Sequence, residues 1–467
     1  MISGILCNDI HSKLNPTRVA RVVCPESTED VALRVRETAA NGGFISICGA
    51  RHAMGGQQFG KGTLLLDCSR LDHIGAVDPV RGWVELGAGV KWRELIEALH
   101  SQQTGCIPLW TIRQKQTGAD SLTLGGSLAA NAHGRGLQMR PIIDDVEAIT
   151  LVDARGEIRR CSRENEPELF CLAIGGYGCF GIITSICLRL SPRLNLRRLV
   201  EITTLDLLIP KLTRRIAEGC AYGDFQFSID ESSPDFLHRG VLSCYEPLEP
   251  HQPEETMPAR LGKSDWQRLI RLAHHDRSKV FEQYSRFYLN THGGIYGSDT
   301  HQLGVYVDDY HSEIDRESCS GVAASEMIGE LYVPPARLTD FMESAADLLR
   351  RSGVPVIYGT VRLIKRDAES FLAWAREDFA CVIFNLHTEH SEVGIAQSSS
   401  AFRGLIDLAL ALGGSFFLTY HRWATRSQID WAYPQFAEFL HQKEVHDPNQ
   451  RFQSEWWRHH RKLFAQS

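Results

Sequence analysis

The sequence predicts an α+β protein of more than one domain, and three observations carry that expectation. The chain has 467 residues, more than one compact core ordinarily holds. From residue 15 to about 193, short β-branched runs alternate with helical stretches, and glycine is frequent. From there to about 415, strand-like runs mix with amphipathic helices, and a short aromatic-dense tail follows. The expected division is therefore 1–193, 194–415 and 416–467, the last too short to be a domain of its own.

Each element has its signal. "VARVVCPES" reads as a strand and "TEDVALRVRETAANGG" as a helix with a Ser/Thr cap and a glycine stop. "FISICGA" is the next strand, completing a βαβ unit. "TLLLDCS" and "GWVELGAGV" continue as strands and "KWRELIEALHSQQ" as a helix. "VEAITLVDARGEIRRCS" is a hairpin turning at Arg155-Gly156. In the middle region "GDFQFSID", "GELYVPP" and "FACVIFNLH" read as strands and "ARLTDFMESAADLLRRSG" as an amphipathic helix. The Pro- and Glu-rich stretch 246–265 reads as a surface loop.

Composition excludes several classes. The chain is 43% hydrophobic and 23% charged, as in ordinary globular proteins. A formal net charge of -7 gives no general pull toward nucleic acid or anionic membrane. No apolar run approaches membrane-spanning length, and "MISGILCNDIHSK" lacks the pattern of a secretory signal. The 13 cysteines are odd in number and show no CxxC spacing, which suits reduced thiols in a cytoplasmic protein.

Three glycine clusters lie in the first region: "CGARHAMGG" (48–56), "TLGGSLAANAHGRG" (123–136) and "IGGYGCFGIIT" (174–184). Small residues let backbone N–H groups approach an anion closely, so three such turns in one domain favour a cofactor carrying a diphosphate. The dinucleotide fingerprint is missing, because "GGYGCFG" opens no helix and has no acidic residue at the required distance. A Rossmann domain is thus not expected.

In this order and spacing the three motifs resemble the FAD-binding domain of the vanillyl-alcohol oxidase and p-cresol methylhydroxylase (PCMH-type) flavoproteins. The sugar-alcohol and aldonolactone oxidase branch is the nearest. The resemblance covers residues 15–193 well, the tail more loosely and the middle in scattered motifs. It implies two α/β subdomains clasping FAD, an α+β cap over the flavin ring, and a C-terminal segment returning to complete the site. Carried over, Gly49, Ala50, Arg51, His52, Ala53 and Met54 would hold the diphosphate. Ser121, Gly125, Gly126, Ser127, Asn131, His133 and Gly134 would follow the ribityl chain and ring, with Gly181 and Ile183 near the adenosine.

"ARHAMGG" is similar to the "RHS" turn of that branch, which puts His52 at the position bonded to the flavin. Such a bond needs a neutral imidazole whose second nitrogen is oriented by a hydrogen bond. Otherwise His52 only hydrogen-bonds within the turn and the flavin is held non-covalently. Ala53 stands where relatives often have serine, and the stretch "TGADSLTLGG" offers no cysteine for a second bond. Cys106 reads as a buried apolar cysteine.

The resemblance implies oxidation of a CH–OH group of a sugar alcohol, sugar or aldonolactone. Hydride would pass to flavin N5, and oxygen or another acceptor would reoxidise the flavin. The same fold could instead oxidise a C–N bond or a natural-product alcohol, or bind flavin without turnover. A base and a cationic or N–H donor near the ring are needed. His133 resembles the histidine of an "HG" pair close to the ring. "LTYHRWATR" resembles a "PHWGK"-like motif with one inserted residue, offering His421 and Tyr420, but with Thr425 in place of lysine. "YGTVRLIKRD" resembles a substrate-gripping Glu-x-Arg strand, keeping Arg362 but with Thr360 for the glutamate. Glu330 in "GELYVPP" matches a Glu-x-Tyr stretch, or is a cap-sheet residue facing solvent.

Two clusters carry less. "HTEHSE" offers His387, Glu389 and His390 as ligands, but residues three apart on a strand point to opposite faces, so no metal site is expected. "EWWRHHRK" reads as a solvated terminal helix, with no nucleic-acid role.

Overall fold

Ser27 opens the first helix as its chemistry demands. In the computed structural model its side chain accepts a hydrogen bond from Asp30 N, and the helix Thr28–Ala40 runs to Asn41. Gly42 follows at φ +65°, a left-handed turn that suits glycine. The structure describes residues 4–249, 261–304, 307, 310–317 and 321–465; residues 250–260 of the expected 246–265 loop lie outside them.

The strands Arg21–Val23 and Ile45–Cys48 flank this helix, but they are not neighbours. Leu64–Asp67 lies between them, parallel to both, with Leu66 opposite Val23 and Ile47. The βαβ unit is thus a three-stranded sheet whose middle place is filled by a later strand. A second, antiparallel sheet has the order Trp83–Gly87, Ile182–Pro192, Val146–Val152, Ile158–Ser162, and Trp110–Ile112 pairs with the far end of Ile182–Pro192. Its hairpin turns at Gly156, φ +79°, with Val152 opposite Ile158. Val31, Ala32 and Val35 of the helix share one apolar cluster with Leu66, Val152 and Ile182, which locks the two sheets together.

At Asn195 the chain enters an eight-stranded antiparallel sheet built from residues up to Phe416. Its strand Ala324–Val333 obeys the two-residue period of a pleated strand. Gly329 turns one face toward the helix Glu392–Ala411, where a Cβ would meet a ring carbon of Phe402 at 2.2 Å. The opposite face carries Glu326, Ile328, Glu330 and Tyr332. Across it, in register, stand His387, Asn385, Ile383 and Cys381 of the strand Phe379–Glu389. Thr360 and Arg362 continue those rows on Val356–Ile364.

The tail returns to the first sheet. Ile45 N donates to Arg451 O, and Gln453 N donates to Ile45 O, so residues near Phe452 extend that sheet by a parallel bridge. The terminal helix Glu455–Ala465 is not solvated all round, as its charges suggested. Trp456 and Trp457 are fully buried, because the apolar ring faces outweigh the basic residues on the other side. Cys106 is exposed rather than buried, and none of the 12 described cysteines is in a disulfide. Among the described residues no helix is long and apolar enough to cross a membrane.

One buried ion pair anchors this return. Asp447 pairs with Lys443 and accepts from Arg451 N at 2.7 Å and Phe452 N at 2.9 Å, with both side chains inaccessible to solvent. Removing one partner strands a buried charge. Asp447→Ala should therefore cost about 3–5 kcal/mol, read as a lower urea midpoint. A change of under about 1 kcal/mol would place the anchor elsewhere.

Candidate active site

The turn after Ile45–Cys48 owes its shape to close contact. A Cβ on Gly49 would lie 2.3 Å from Thr123 Oγ1, so only glycine lets this turn meet the start of the helix Leu124–Ala129. Arg51 takes φ +61° two residues later, an uncommon conformation for a side chain of its size. Its guanidinium holds Asp67 at 3.0 Å, and its carbonyl accepts from Ile10 N at 3.1 Å.

This turn opens onto a cleft of about 360 Å³. That lies within the roughly 300–1,000 Å³ of ordinary ligand pockets, and its lining runs from the turn at Gly49 to Tyr420 and Trp457. Gly49, Ala50, Arg51, His52, Ala53 and Met54 all line it, as do Gly125, Gly126, Gly181 and Ile183. Three glycine turns distant in sequence thus share one wall. Ser121 contributes through its hydroxyl, 2.9 Å from His52 Nε2.

Five predicted cofactor residues do not line the cleft, Ser121 among them. Ser127 Oγ accepts from Trp92 Nε1 at 3.1 Å and donates to Thr123 O. Asn131, at φ +49°, donates to Asp367 at 2.8 Å and accepts from Ile143 N. Gly134 N donates to Gln114 Oε1, and a Cβ there would meet Lys115 O at 2.8 Å. These three fix the loop beneath the cleft wall. His133 is buried with them and faces Glu330.

Glu330 is the residue that the strand period sharpened. It is 5% exposed, so the solvent-facing alternative does not hold. His133 Nε2 lies 3.0 Å from its Oε2, Tyr332 OH donates to the same oxygen at 2.8 Å, and Tyr420 OH donates to Oε1 at 2.6 Å. Burial alone would raise this carboxyl, but the charge and hydrogen bond of His133, with Tyr420 and Arg362, bring it down to about 2. Tyr420 lines the cleft, and its phenol is pushed up by burial and by the Glu330 charge.

The other predicted catalytic groups lie back from the cleft. His421 is buried against Trp423, with ring centroids 4.8 Å apart and nearly parallel, and Phe402 at 4.7 Å. Burial lowers it to about 3, and its Nδ1 has no hydrogen-bond partner among the described residues. Arg362 is buried on the eight-stranded sheet but does not line the cleft. Thr425, where a lysine was expected, caps the helix Arg426–Ala432.

His52 meets the demand for a neutral ring. Burial, then the nearby His11, lowers it to about 3. Its Nδ1 is 2.7 Å from His11 Nε2, and its Nε2 faces Ser121. His11 was missed because nothing in "CNDIHSK" marks a partner 41 residues away. Glu326 and Asn385, which also line the cleft, carried a signal: Glu326 lies four residues before Glu330 on one strand, hence on the same face.

Residues 19–162 match the family described as the FAD binding domain. This stretch is an FAD binding domain. It contains the first two glycine turns; the third, the cap sheet and the tail lie beyond the match. Among similar proteins, an uncharacterised oxidoreductase from the fasciation locus of Rhodococcoides fascians is 33% identical over 171 residues, 36% of this chain and 37% of that protein. Cytokinin dehydrogenase 2 of Arabidopsis thaliana is 29% identical over 168 residues, 35% and 32% of the two chains. Mitochondrial L-galactono-1,4-lactone dehydrogenase of Brassica oleracea is 27% identical over 183 residues, 39% and 29%. The match spans about a third of each relative's length. The FAD binding domain has the α+β, PCMH-type fold, and the cleft lined by its glycine turns fits the cofactor.

The lowered Glu330 carboxyl has a signed consequence. Its folded value, about 2, lies below the ordinary 4.5, so its contribution to stability is present above 4.5 and lost as pH falls toward 2. The stability gap between wild type and Glu330→Gln, from urea unfolding, should shrink across that window. A gap independent of pH would show that the carboxylate charge is not what holds the network.

Proposed function

We propose that the chain is an FAD-dependent oxidoreductase that oxidises a CH–OH group of a sugar alcohol, sugar or aldonolactone, with residues 1–193 holding FAD, 194–415 forming the cap and 416–467 completing the site. Bound FAD supplies the hydride acceptor at N5, and oxygen or another acceptor takes the electrons onward. The observation that carries this reading is the Tyr420 hydroxyl on the cleft wall, 2.6 Å from a buried carboxylate. A hydroxyl substrate needs its proton removed as hydride leaves. Tyr420 relays that proton through its hydrogen bond to Glu330 Oε1, whose other oxygen faces His133. His421 and Arg362 act from behind this chain, by packing and by charge on Glu330. The reading is supported by similarity to a lactone dehydrogenase, while similarity to a cytokinin dehydrogenase supports the C–N alternative.

His52 serves as the covalent tether to the flavin. Its low basicity keeps a nitrogen lone pair available, and His11 and Ser121 fix the ring. One observation favours the second reading, oxidation of a C–N bond or a natural-product alcohol: Arg362, the expected grip for polyol oxygens, does not line the cleft.

Two measurements test this. Acid-precipitated protein should keep its yellow colour in the pellet and lose it in His52→Ala; flavin released from wild type into the supernatant would refute the tether. Tyr420→Phe should slow flavin reduction by an alcohol substrate by about 10²-fold or more, with FAD content unchanged. An unaltered rate would remove Tyr420 from proton transfer.

A further inference from the structure

Beside the hydroxyl-bearing end of the cap sheet lies a second cluster, which the flavin chemistry does not use. Glu326 and His387 are direct cross-strand partners, so their side chains rise together from the cleft-side face. His274, in the last turn of the helix Lys263–His275, comes over them. Its Nε2 is 3.0 Å from Glu326 Oε1, and His387 Nδ1 is 3.7 Å from the same oxygen. The two imidazoles meet edge to face, with centroids 5.1 Å apart.

These are ion-pair distances, yet the three atoms are not aligned for well-formed hydrogen bonds. Glu326 Oε1, His274 Nε2 and His387 Nδ1 are all buried without a bonded partner. Glu326 is only 6% exposed, which makes an unsatisfied oxygen costly. Its other oxygen is already engaged: Tyr310 OH donates to Oε2, and His311 Nε2 lies 2.9 Å from it. Those contacts orient the carboxylate and leave Oε1 turned to the two imidazoles, as outer partners of a metal ligand do.

We propose that His274 Nε2, Glu326 Oε1 and His387 Nδ1 bind a divalent transition-metal ion of the zinc type. The three atoms lie within 4.8 Å of one another. In a tetrahedral zinc site, with bonds near 2.0–2.1 Å, ligand atoms sit about 3.3 Å apart, and the observed 3.0 and 3.7 Å bracket that spacing. Two imidazoles and one carboxylate are the donor set of a zinc site that keeps a fourth position for water or a substrate oxygen. Glu326 also lines the cleft, so that position is within reach of a ligand there. The expectation of no metal site weighed His387 only against its own strand. His390 indeed points away, to Ser325 Oγ at 2.9 Å; the other two donors come from elements distant in sequence.

The inference does not depend on flavin turnover, and its test reads metal directly. Purified holoprotein is stripped with a chelator, then titrated with Zn²⁺, counted by elemental mass spectrometry, and with Co²⁺, followed by its visible ligand-field bands beyond the flavin absorption. Wild type should take up about one ion per chain, with the intense bands of a tetrahedral site. His387→Ala and Glu326→Gln should each weaken binding at least about tenfold, while FAD content and melting temperature report whether the variant has folded. Should Glu326→Gln fail to fold, His274→Ala gives the same reading. Wild type that binds no ion, or variants that bind as tightly as wild type, would overturn the site and leave an imidazole–carboxylate cluster.

Discussion

A buried carboxylate must find donors or lose its charge, and at Glu330 the donors come from three separate parts of the chain. Glu330 itself stands on the cap sheet, His133 on a loop of the FAD binding domain, and Tyr420 on the returning tail. None of these segments can shift without unpairing a charge in a low-dielectric setting, where an unmet acceptor is expensive. The network therefore does two things at once. It fixes how the eight-stranded sheet and the tail meet the flavin-binding region, and it places a hydroxyl on the cleft wall with a buried carboxylate behind it.

The opposite wall is built by a different constraint, close backbone approach. Gly49 packs on Thr123, Arg51 accepts a left-handed backbone, and the pair His11–His52 fills the space above them. Glycine there is a steric requirement rather than a sign of flexibility. The tail helps here too, since Gln57 Nε2 donates to Thr419 O at 2.6 Å, next to Tyr420. One short interaction thus ties the turn bearing His52 to the segment bearing Tyr420.

What the sequence revealed follows from which signals are local. Helix caps, the hairpin at Gly156 and the three glycine turns depend on neighbouring residues, and they were legible. The order of the parallel sheet was not, because a strand inserted between two others leaves no trace in either. Arg362 and His421 were found as motifs, but a motif does not say whether a side chain reaches the cleft or stops behind its wall. Thr425 shows the same limit: it occupies the expected place for a lysine while capping a helix. Burial decided the terminal helix, whose charges drew attention while its two tryptophans set its position.

The period of a single strand joins the two clusters of the cap. Glu326 and Glu330 are four residues apart on Ala324–Val333, so they emerge on the same face, about 13 Å apart at the usual strand rise. Each draws histidines, but with opposite outcomes. Glu330 satisfies both oxygens with protein donors and is complete as it stands. Glu326 satisfies one oxygen and leaves the other facing two imidazole nitrogens at ion-pair distance without a well-aligned hydrogen bond. One face of a single strand thus carries a closed carboxylate, reaching the cleft through Tyr420, and an open one that lines the cleft itself, and the proposed proton removal and metal binding fall one on each.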